Sequence, residues 1–372
     1  MGQSSVLVKN GKRIPVGERD DVFVGLDVHA KKVNVAVRVN GREVARWVSP
    51  PNGAVLAKSF RPLRAGLRNM AYEAGPTGYG LYRTLRAEGL PVEVWAPGKM
   101  PRPANRSNKT DRKDAATLAK YAEKDLGTPI AVPTAQQEAD RQVMRTRNQL
   151  VEKARRVKQQ VKGFLLMHGI PAPAGLAGWT KAGLDALRKV SLGAELKFCL
   201  ELLLDELIHL EGLKKRIELK LRELSQTERH AKAVRLLQSH PGVGLLTAMN
   251  FLLEVYRPER FEVDRQLSTY VGLVPRVSQS AERRTEGPLI RSGQNSLRSM
   301  LVQAAWQWKR RGGEGEEIYQ RILGNTQCAQ KTIVALARKI SANLWYMLLR
   351  GEAYRPPEQR MNSKAILRLE TT

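Results

Sequence analysis

The sequence predicts an α/β domain followed by an almost wholly helical remainder, and three observations carry that reading. Val33, Val35, Val37 and Val39 alternate with other residues, as one face of a strand does. Asn40-Gly41 then supplies a strong hairpin signal that leads into a further strand. From about residue 134 onward, apolar residues recur at helical spacing among dense charges.

The elements follow in order. An apolar run at 22–26 is the first strand, 33–39 the second, and 44–48 the third, across the Asn40-Gly41 turn. A helix is predicted over 54–67, a short strand at 70–72, a helix at 79–87 and a strand at 92–95. Three meandering strands followed by alternating helices and strands is the order of a ribonuclease-H-like domain. The domain is placed at 21–130, after an N-terminal tail at 1–20. A helical middle at 131–230 holds two long charged helices, 137–166 and 196–224, around the break Gly169-Ile170-Pro171-Ala172-Pro173. Their narrow apolar seam suits a coiled coil or a plain bundle equally. A helical domain at 231–352 carries helices at 296–308 and 330–349 and a loop region from 275 to 293. A basic, poorly ordered tail at 353–372 completes the chain.

Charge sets the partner class. Lys and Arg total 63 against 36 Asp and Glu, a formal charge of +27. A surplus of that size repels itself unless a polyanion shares it, and each neutralised phosphate releases counterions. Nucleic acid is the indicated partner, because the basic residues are spread along the chain. Cys199 and Cys328 alone make neither a disulfide framework nor a zinc site. Both are read as small buried thiols in apolar helices. Residues 1–20 have no apolar core of a signal peptide, and no apolar run reaches membrane-spanning length. A soluble cytoplasmic protein is expected.

Four carboxylates stand where an acid is costly without a partner. Asp27 follows the first apolar strand, Glu73 ends the fourth, and Asp111 and Asp114 open a helix on one face of it. Converging at one sheet edge, they would hold hard divalent ions, and two such ions can clamp a phosphodiester. Asp111 and Asp114 suit a helix N-terminus as well, and His29 reads as a surface residue. In the later part, Ser278 and Ser280 lie in a polar loop with Arg276, Arg283 and Arg284, followed by Arg291 and Arg298. Guanidinium groups hold phosphate oxygens, so such a loop binds a nucleic-acid backbone. The turn His240-Pro241-Gly242-Val243-Gly244 is evenly divided between a structural turn and a phosphate approach through Gly242 and Gly244, with His240 read as structural.

From about Val22 to Arg350 the chain resembles the IS110 family of bacterial insertion-sequence transposases. The resemblance runs through Val24-Gly25-Leu26-Asp27-Val28-His29, Glu73-Ala74-Gly75-Pro76-Thr77-Gly78, Ala96-Pro97-Gly98-Lys99 and Lys109-Thr110-Asp111-Arg112-Lys113-Asp114-Ala115. It continues in Pro241-Gly242-Val243-Gly244, Tyr270-Val271-Gly272-Leu273-Val274-Pro275, Gln279-Ser280, Arg298 and Val302-Gln303-Ala304-Ala305-Trp306. It implies a RuvC-like domain in which Asp27, Glu73, Asp111 and Asp114 bind magnesium, two ions per site. It also implies a nucleophilic Ser280 that forms a covalent phosphoserine with DNA. Ser280 is chosen over Ser278 because Gly287, Gly293 and Arg298 keep register with it. Lys99, Arg102, Lys109 and Lys113 join the loop arginines as expected nucleic-acid contacts. The resemblance further implies a non-coding guide RNA and a dimerising coiled coil, in a homodimer or homotetramer. Ala281 stands where the family has glycine, and Gly287-Pro288 where it has a glycine pair. Two other readings compete: a hydrolytic RuvC-type nuclease whose Ser280 only binds phosphate, and a non-enzymatic nucleic-acid-binding protein.

Overall fold

A computed structural model describes residues 5–9, 12–17, 19–101, 111–280 and 283–356, with the backbone alone for 5–9, 12–15, 111–113, 278–280 and 283–286. The chain divides into two compact units, Met1–Val132 and Pro133–Thr372. The helical middle and the segment after it lie together in the second.

The first unit begins with β1 (Ser5–Lys9) and β2 (Lys12–Val16), an antiparallel pair inside the stretch read as a tail. Five strands then build one sheet: β3 (Val22–Val28), β4 (Val33–Val39), β5 (Arg42–Ser49), β6 (Leu67–Glu73) and β7 (Val92–Trp95). Their spatial order is β5-β4-β3-β6-β7. The first three are antiparallel, and β6 and β7 continue in parallel beside β3. Asn40 and Gly41 take φ of 47° and 85°, the left-handed pair that a tight hairpin turn needs. Helix α1 (Gly53–Phe60) is shorter than its apolar spacing predicts. Pro62 lies in the 3-10 turn Arg61–Leu63 that follows, where a ring without an N–H ends the helix. Helix α2 (Gly80–Ala87) precedes β7, and α3 (Asp111–Glu123) follows it.

Side-chain alternation separates the two faces of this sheet. Val22, Val24, Leu26, Met70, Tyr72, Val92 and Val94 pack with Leu56, Phe60 and Leu85 of α1 and α2. The opposite face lies under α3, where Ala36 meets Ala115 and Ala119, and Ala71 meets Leu118 and Ala122. Glu123 at the end of α3 accepts from Arg38 Nε at 2.9 Å and from the Gly41 N–H at 2.7 Å. Arg38 pairs with Phe23 near the start of β3, so α3 runs antiparallel to β3. The first turn of α3 is thereby directed to the strand end that carries Asp27.

In the second unit, Thr134 and Gln137 close a reciprocal cap on α4 (Ala135–Met167). A 3-10 turn (Leu176–Gly178) and α5 (Lys181–Arg188) lead to α6 (Ala194–Ser225). Ion pairs Arg147–Glu218 and Lys158–Glu211 fix α4 and α6 as antiparallel partners. Their seam is Ala154, Val157, Val161 and Leu165 against Leu200, Leu204, Leu207 and Leu210. So narrow a seam leaves Cys199 exposed, and Cys328 is only half-buried, which corrects the reading of both as buried thiols.

Among the described residues of the unit, six further α-helices and a hairpin follow. They are α7 (Glu228–Gln238), α8 (Leu245–Val255), α9 (Asp264–Val271), β8 (Pro275–Ser280), β9 (Arg283–Leu289), α10 (Asn295–Arg310), α11 (Glu314–Thr326) and α12 (Ala329–Arg350). Their core joins Phe251, Leu301, Trp308, Leu336 and Leu344 with Met144 of α4 and Leu221 and Leu224 of α6. The foot of α4 is also bound by a buried charge. Glu254, 1% exposed, accepts from Arg141 Nη2 at 2.7 Å and from Arg145 Nε at 3.2 Å. The expected tail is pinned at its start, because the Tyr354 N–H donates to Ser239 Oγ at 2.8 Å and the ring packs on His240. Residues 357–372 of that tail lie outside the described residues.

Candidate active site

At the C-terminal ends of β3 and β6, two acidic side chains become neighbours. Leu26 is in parallel register with Tyr72, so Asp27 and Glu73 stand one step further along, side by side on the α3 face. Both line a cleft of about 810 Å³, with His29, Pro76, Gly80 and Thr84 among its walls. Asp27 is also the cross-strand partner of Asn34 in β4. The Asn34 amide donates to Asp27 Oδ2 at 3.1 Å, and His29 Nε2 lies 2.9 Å from the same oxygen. A carboxylate only accepts, so the imidazole nitrogen is the donor of that contact. Asn34 is 2% exposed, and no feature of the sequence reading singled it out. The available signal was a polar residue between valines, two positions before Ala36 on the strand face opposite the valines.

Asp111 and Asp114 lie in the first turn of α3, at the end directed to this cleft. The Asp114 side chain is half-buried, and that of Asp111 lies outside the described residues. Among the described residues, no three His, Cys, Asp or Glu side chains are gathered closely enough to hold a metal ion. The structure therefore brings Asp27 and Glu73 into one cleft and aims the start of α3 at it.

The serine segment is a β-hairpin, not the loop that its polar composition suggested. β8 and β9 pair antiparallel, with Ser280 in register with Arg283. Arg276, Val277, Gly287 and Pro288 are all exposed. The segment carries no apolar alternation in the sequence, which is why its polar composition suggested a loop. Ser280 ends β8; its side chain and those of Arg283 and Arg284 are not among the described ones, and Ala281 is outside them altogether. At the root of the hairpin the backbones of Gly272 and Gly293 cross, with φ of 85° and 124°. A β-carbon on Gly293 would lie 2.9 Å from Gly272 Cα. Arg298 Nη1 donates to Gly272 O at 3.2 Å and to Ile290 O at 3.0 Å, and Arg338 Nε donates to Leu273 O at 3.0 Å.

The remaining expected contacts are scattered in kind. Lys99, Arg276 and Arg291 are exposed; Arg102 and Lys109 lie outside the described residues, as does the side chain of Lys113. Gly242 is buried, and a β-carbon there would lie 2.6 Å from Ala304 O, so its missing side chain serves helix packing. Gly244 is exposed at the start of α8, with nothing within 4 Å of where a β-carbon would be. His240, 1% exposed, packs edge-on against Trp308 and at a tilt against Tyr354. No helix among the described residues is long and apolar enough to cross a membrane.

Residues 24–169 match the transposase model of the DEDD class of IS110 elements, and residues 234–320 match the model described as transposase IS116/IS110/IS902 family. A putative transposase of Sinorhizobium fredii is 32% identical over 354 residues, covering 92% of this chain and 87% of that relative. The transposase for insertion sequence element IS1533 of Leptospira borgpetersenii is 29% identical, covering 87% of this chain and 94% of its own length. The transposase for element IS1111A of Coxiella burnetii is 27% identical over 279 residues, with 74% of this chain and 76% of that relative covered.

Proposed function

Since the chain belongs to the IS110 family of transposases, enzymes that act on DNA, we propose that it cuts and rejoins DNA through a covalent phosphoserine at Ser280. The observation that carries the acidic half of this reading is the pairing of Asp27 and Glu73 in one cleft at the sheet edge. The strand order β5-β4-β3-β6-β7, three antiparallel strands continued by two parallel ones, supports a RuvC-like, ribonuclease-H-like domain.

Asp27, Glu73, Asp111 and Asp114 would hold magnesium, two ions per site, and their all-oxygen donor set suits that hard cation. Bound there, it supplies charge neutralisation at a scissile phosphate. Asn34 and His29 orient Asp27 by donating to one of its oxygens. Ser280 Oγ attacks phosphorus, the hydroxyl proton leaves, and the bond from phosphorus to a deoxyribose oxygen breaks. That oxygen departs as a hydroxyl, and the strand stays joined to the protein through a phosphodiester-like bond. A hydroxyl of a second DNA end then attacks the same phosphorus and releases the serine. Bond energy is conserved, so strands can be rejoined without another energy source.

The charge of +27 supports carriage of a guide RNA as well as DNA. The antiparallel pair α4 and α6, with its narrow seam, supports a coiled-coil role in a homodimer or homotetramer. The test is covalent trapping with magnesium, element-junction DNA and RNA from the flanking non-coding region. An adduct in the wild type, lost in both Ser280→Ala and Asp27→Ala, is the expected result. Cleaved DNA without an adduct, persisting in Ser280→Ala, would replace this reading with hydrolysis by the acidic site.

A further inference from the structure

The arginine downstream of the serine hairpin was expected to bind phosphate, but the structure gives its guanidinium other work. Arg298 projects from the first turn of α10 and is half-buried. Its Nη1 reaches both ends of the hairpin, Gly272 O before β8 and Ile290 O after β9. Its Nη2 donates to Asn295 Oδ1, which fixes the guanidinium plane to its own helix. Arg338 of α12 holds the next carbonyl, Leu273 O. Two backbone bonds close the same root, from the Ile290 N–H to Val274 O at 3.0 Å and from the Gln294 N–H to Tyr270 O at 3.2 Å.

Beyond this root the described side chains of Arg276, Val277, Gly287 and Pro288 are exposed, so the hydrogen bonds at the root are what ties these positions to the helices. Ser280 lies at the far end of β8, five residues from Pro275 where the strand begins. At about 3.3 Å per residue, a small rotation at the root moves the tip by more than an ångström. A displacement of that size at a nucleophile costs on the order of 100-fold in rate.

We propose that Arg298 is a positioning residue that sets the direction of the Ser280 hairpin by bridging the carbonyls at its two roots, and is not a phosphate ligand. The proposal rests on the reading of Ser280 as nucleophile. It adds that the arginine acts in the free protein, before any nucleic acid arrives.

The experiment has two arms on the full chain. Hydrogen exchange in the DNA-free protein is followed in peptides spanning 270–294, for wild type, Arg298→Ala and Arg338→Ala. Adduct formation with magnesium, junction DNA and RNA is then measured against DNA concentration and salt, with Ser280→Ala alongside. Arg298→Ala is expected to speed exchange at the root and to lower the rate at saturating DNA on the order of 100-fold. Its half-saturating DNA concentration should stay within about twofold, with the salt dependence unchanged. Unchanged exchange, with weaker DNA binding and a salt slope lower by about one, would make Arg298 a phosphate ligand and overturn the proposal. Unchanged exchange and unchanged rate would overturn it as well. If Arg298→Ala fails to fold, Arg338→Ala reads the same root, and slow exchange with full rate there overturns the proposal. An adduct that persists in Ser280→Ala, with fast exchange in Arg298→Ala, would refute the nucleophile and leave the hold on the hairpin standing.

Discussion

A β-carbon on Gly25 of β3 would lie 2.0 Å from the carbonyl oxygen of Ala115 and 2.4 Å from the Ala119 nitrogen in α3. The strand and the helix are in backbone contact, two residues before Asp27 and one residue after Asp114. The absence of one side chain thus sets the height of α3 above the sheet and of its first turn above the cleft. Gly25→Ala must lift a helix backbone, and overpacking of this kind costs about 1–3 kcal/mol. The expected outcome is a lowered urea midpoint together with a raised magnesium requirement for adduct formation. A variant with wild-type stability and wild-type magnesium response would mean that the helix height is not set here.

Asn34 holds Asp27 through a hydrogen bond from β4. Its amide is buried, and its bond to Asp27 Oδ2 sets the carboxylate plane. Loss of a group that orients a ligating carboxylate lowers metal affinity or activity by roughly 10–100-fold. Asn34→Ala is therefore expected to raise the magnesium concentration for half-maximal activity by that range. A titration whose midpoint does not move would remove Asn34 from the site.

Glu254 binds the foot of α4 to α8 and titrates with a predictable sign. Burial alone would raise its carboxyl, but Arg141 and Arg145 outweigh burial and hold it below the ordinary 4.5. Asp140 follows the same rule, with Arg229, His230 and Gln136 overcoming burial to keep it below 3.8. A carboxylate depressed on folding contributes stability that is present above its unfolded value and lost as pH falls toward its folded value. The melting temperature is expected to drop steeply below about pH 4.5. Glu254→Gln should lose about 3–5 kcal/mol at neutral pH, because Arg141 is left buried without its counter-charge. Its melting temperature should also depend less on pH in the acid range, and a profile as steep as the wild type's would contradict the assignment.

The two glycines of the 240–244 turn separate packing from exposure. Gly242→Ala pushes a methyl group against Ala304 O and Trp308 Cβ, at 2.6 and 2.9 Å, and should cost about 1–3 kcal/mol. Gly244→Ala meets nothing within 4 Å and should leave the melting temperature nearly unchanged. If its DNA affinity nevertheless falls, Gly244 is the member of the pair that admits a phosphate. Thermal melts and a DNA titration on both variants read the two effects apart.

Legibility in the sequence followed burial. β3, β4 and the Asn40-Gly41 turn were readable because one face of β4 is valine packed on α1 and α2 while the other carries small or polar residues under α3, and a tight turn demands positive φ. The serine hairpin was not, since its sequence is polar and lacks an apolar alternation. The end of α1 was misread because apolar spacing continued past Pro62, and the ring decided the matter. Cys199 was misread because a two-helix seam buries only a narrow stripe of each helix.

The sequence by itself determined the charge, the period of each long element and the four acids standing at element ends. Those properties are local, set by side-chain chemistry and by the repeat of a helix or strand. Only the tertiary structure decided that Asp27 and Glu73 are neighbours, since strand register is a relation between segments about 46 residues apart in the chain. It likewise decided that Asn34 serves Asp27, that Gly242 serves packing and that Arg298 serves backbone carbonyls. A donor has many acceptors open to it in an unfolded chain, and packing alone selects which one it meets.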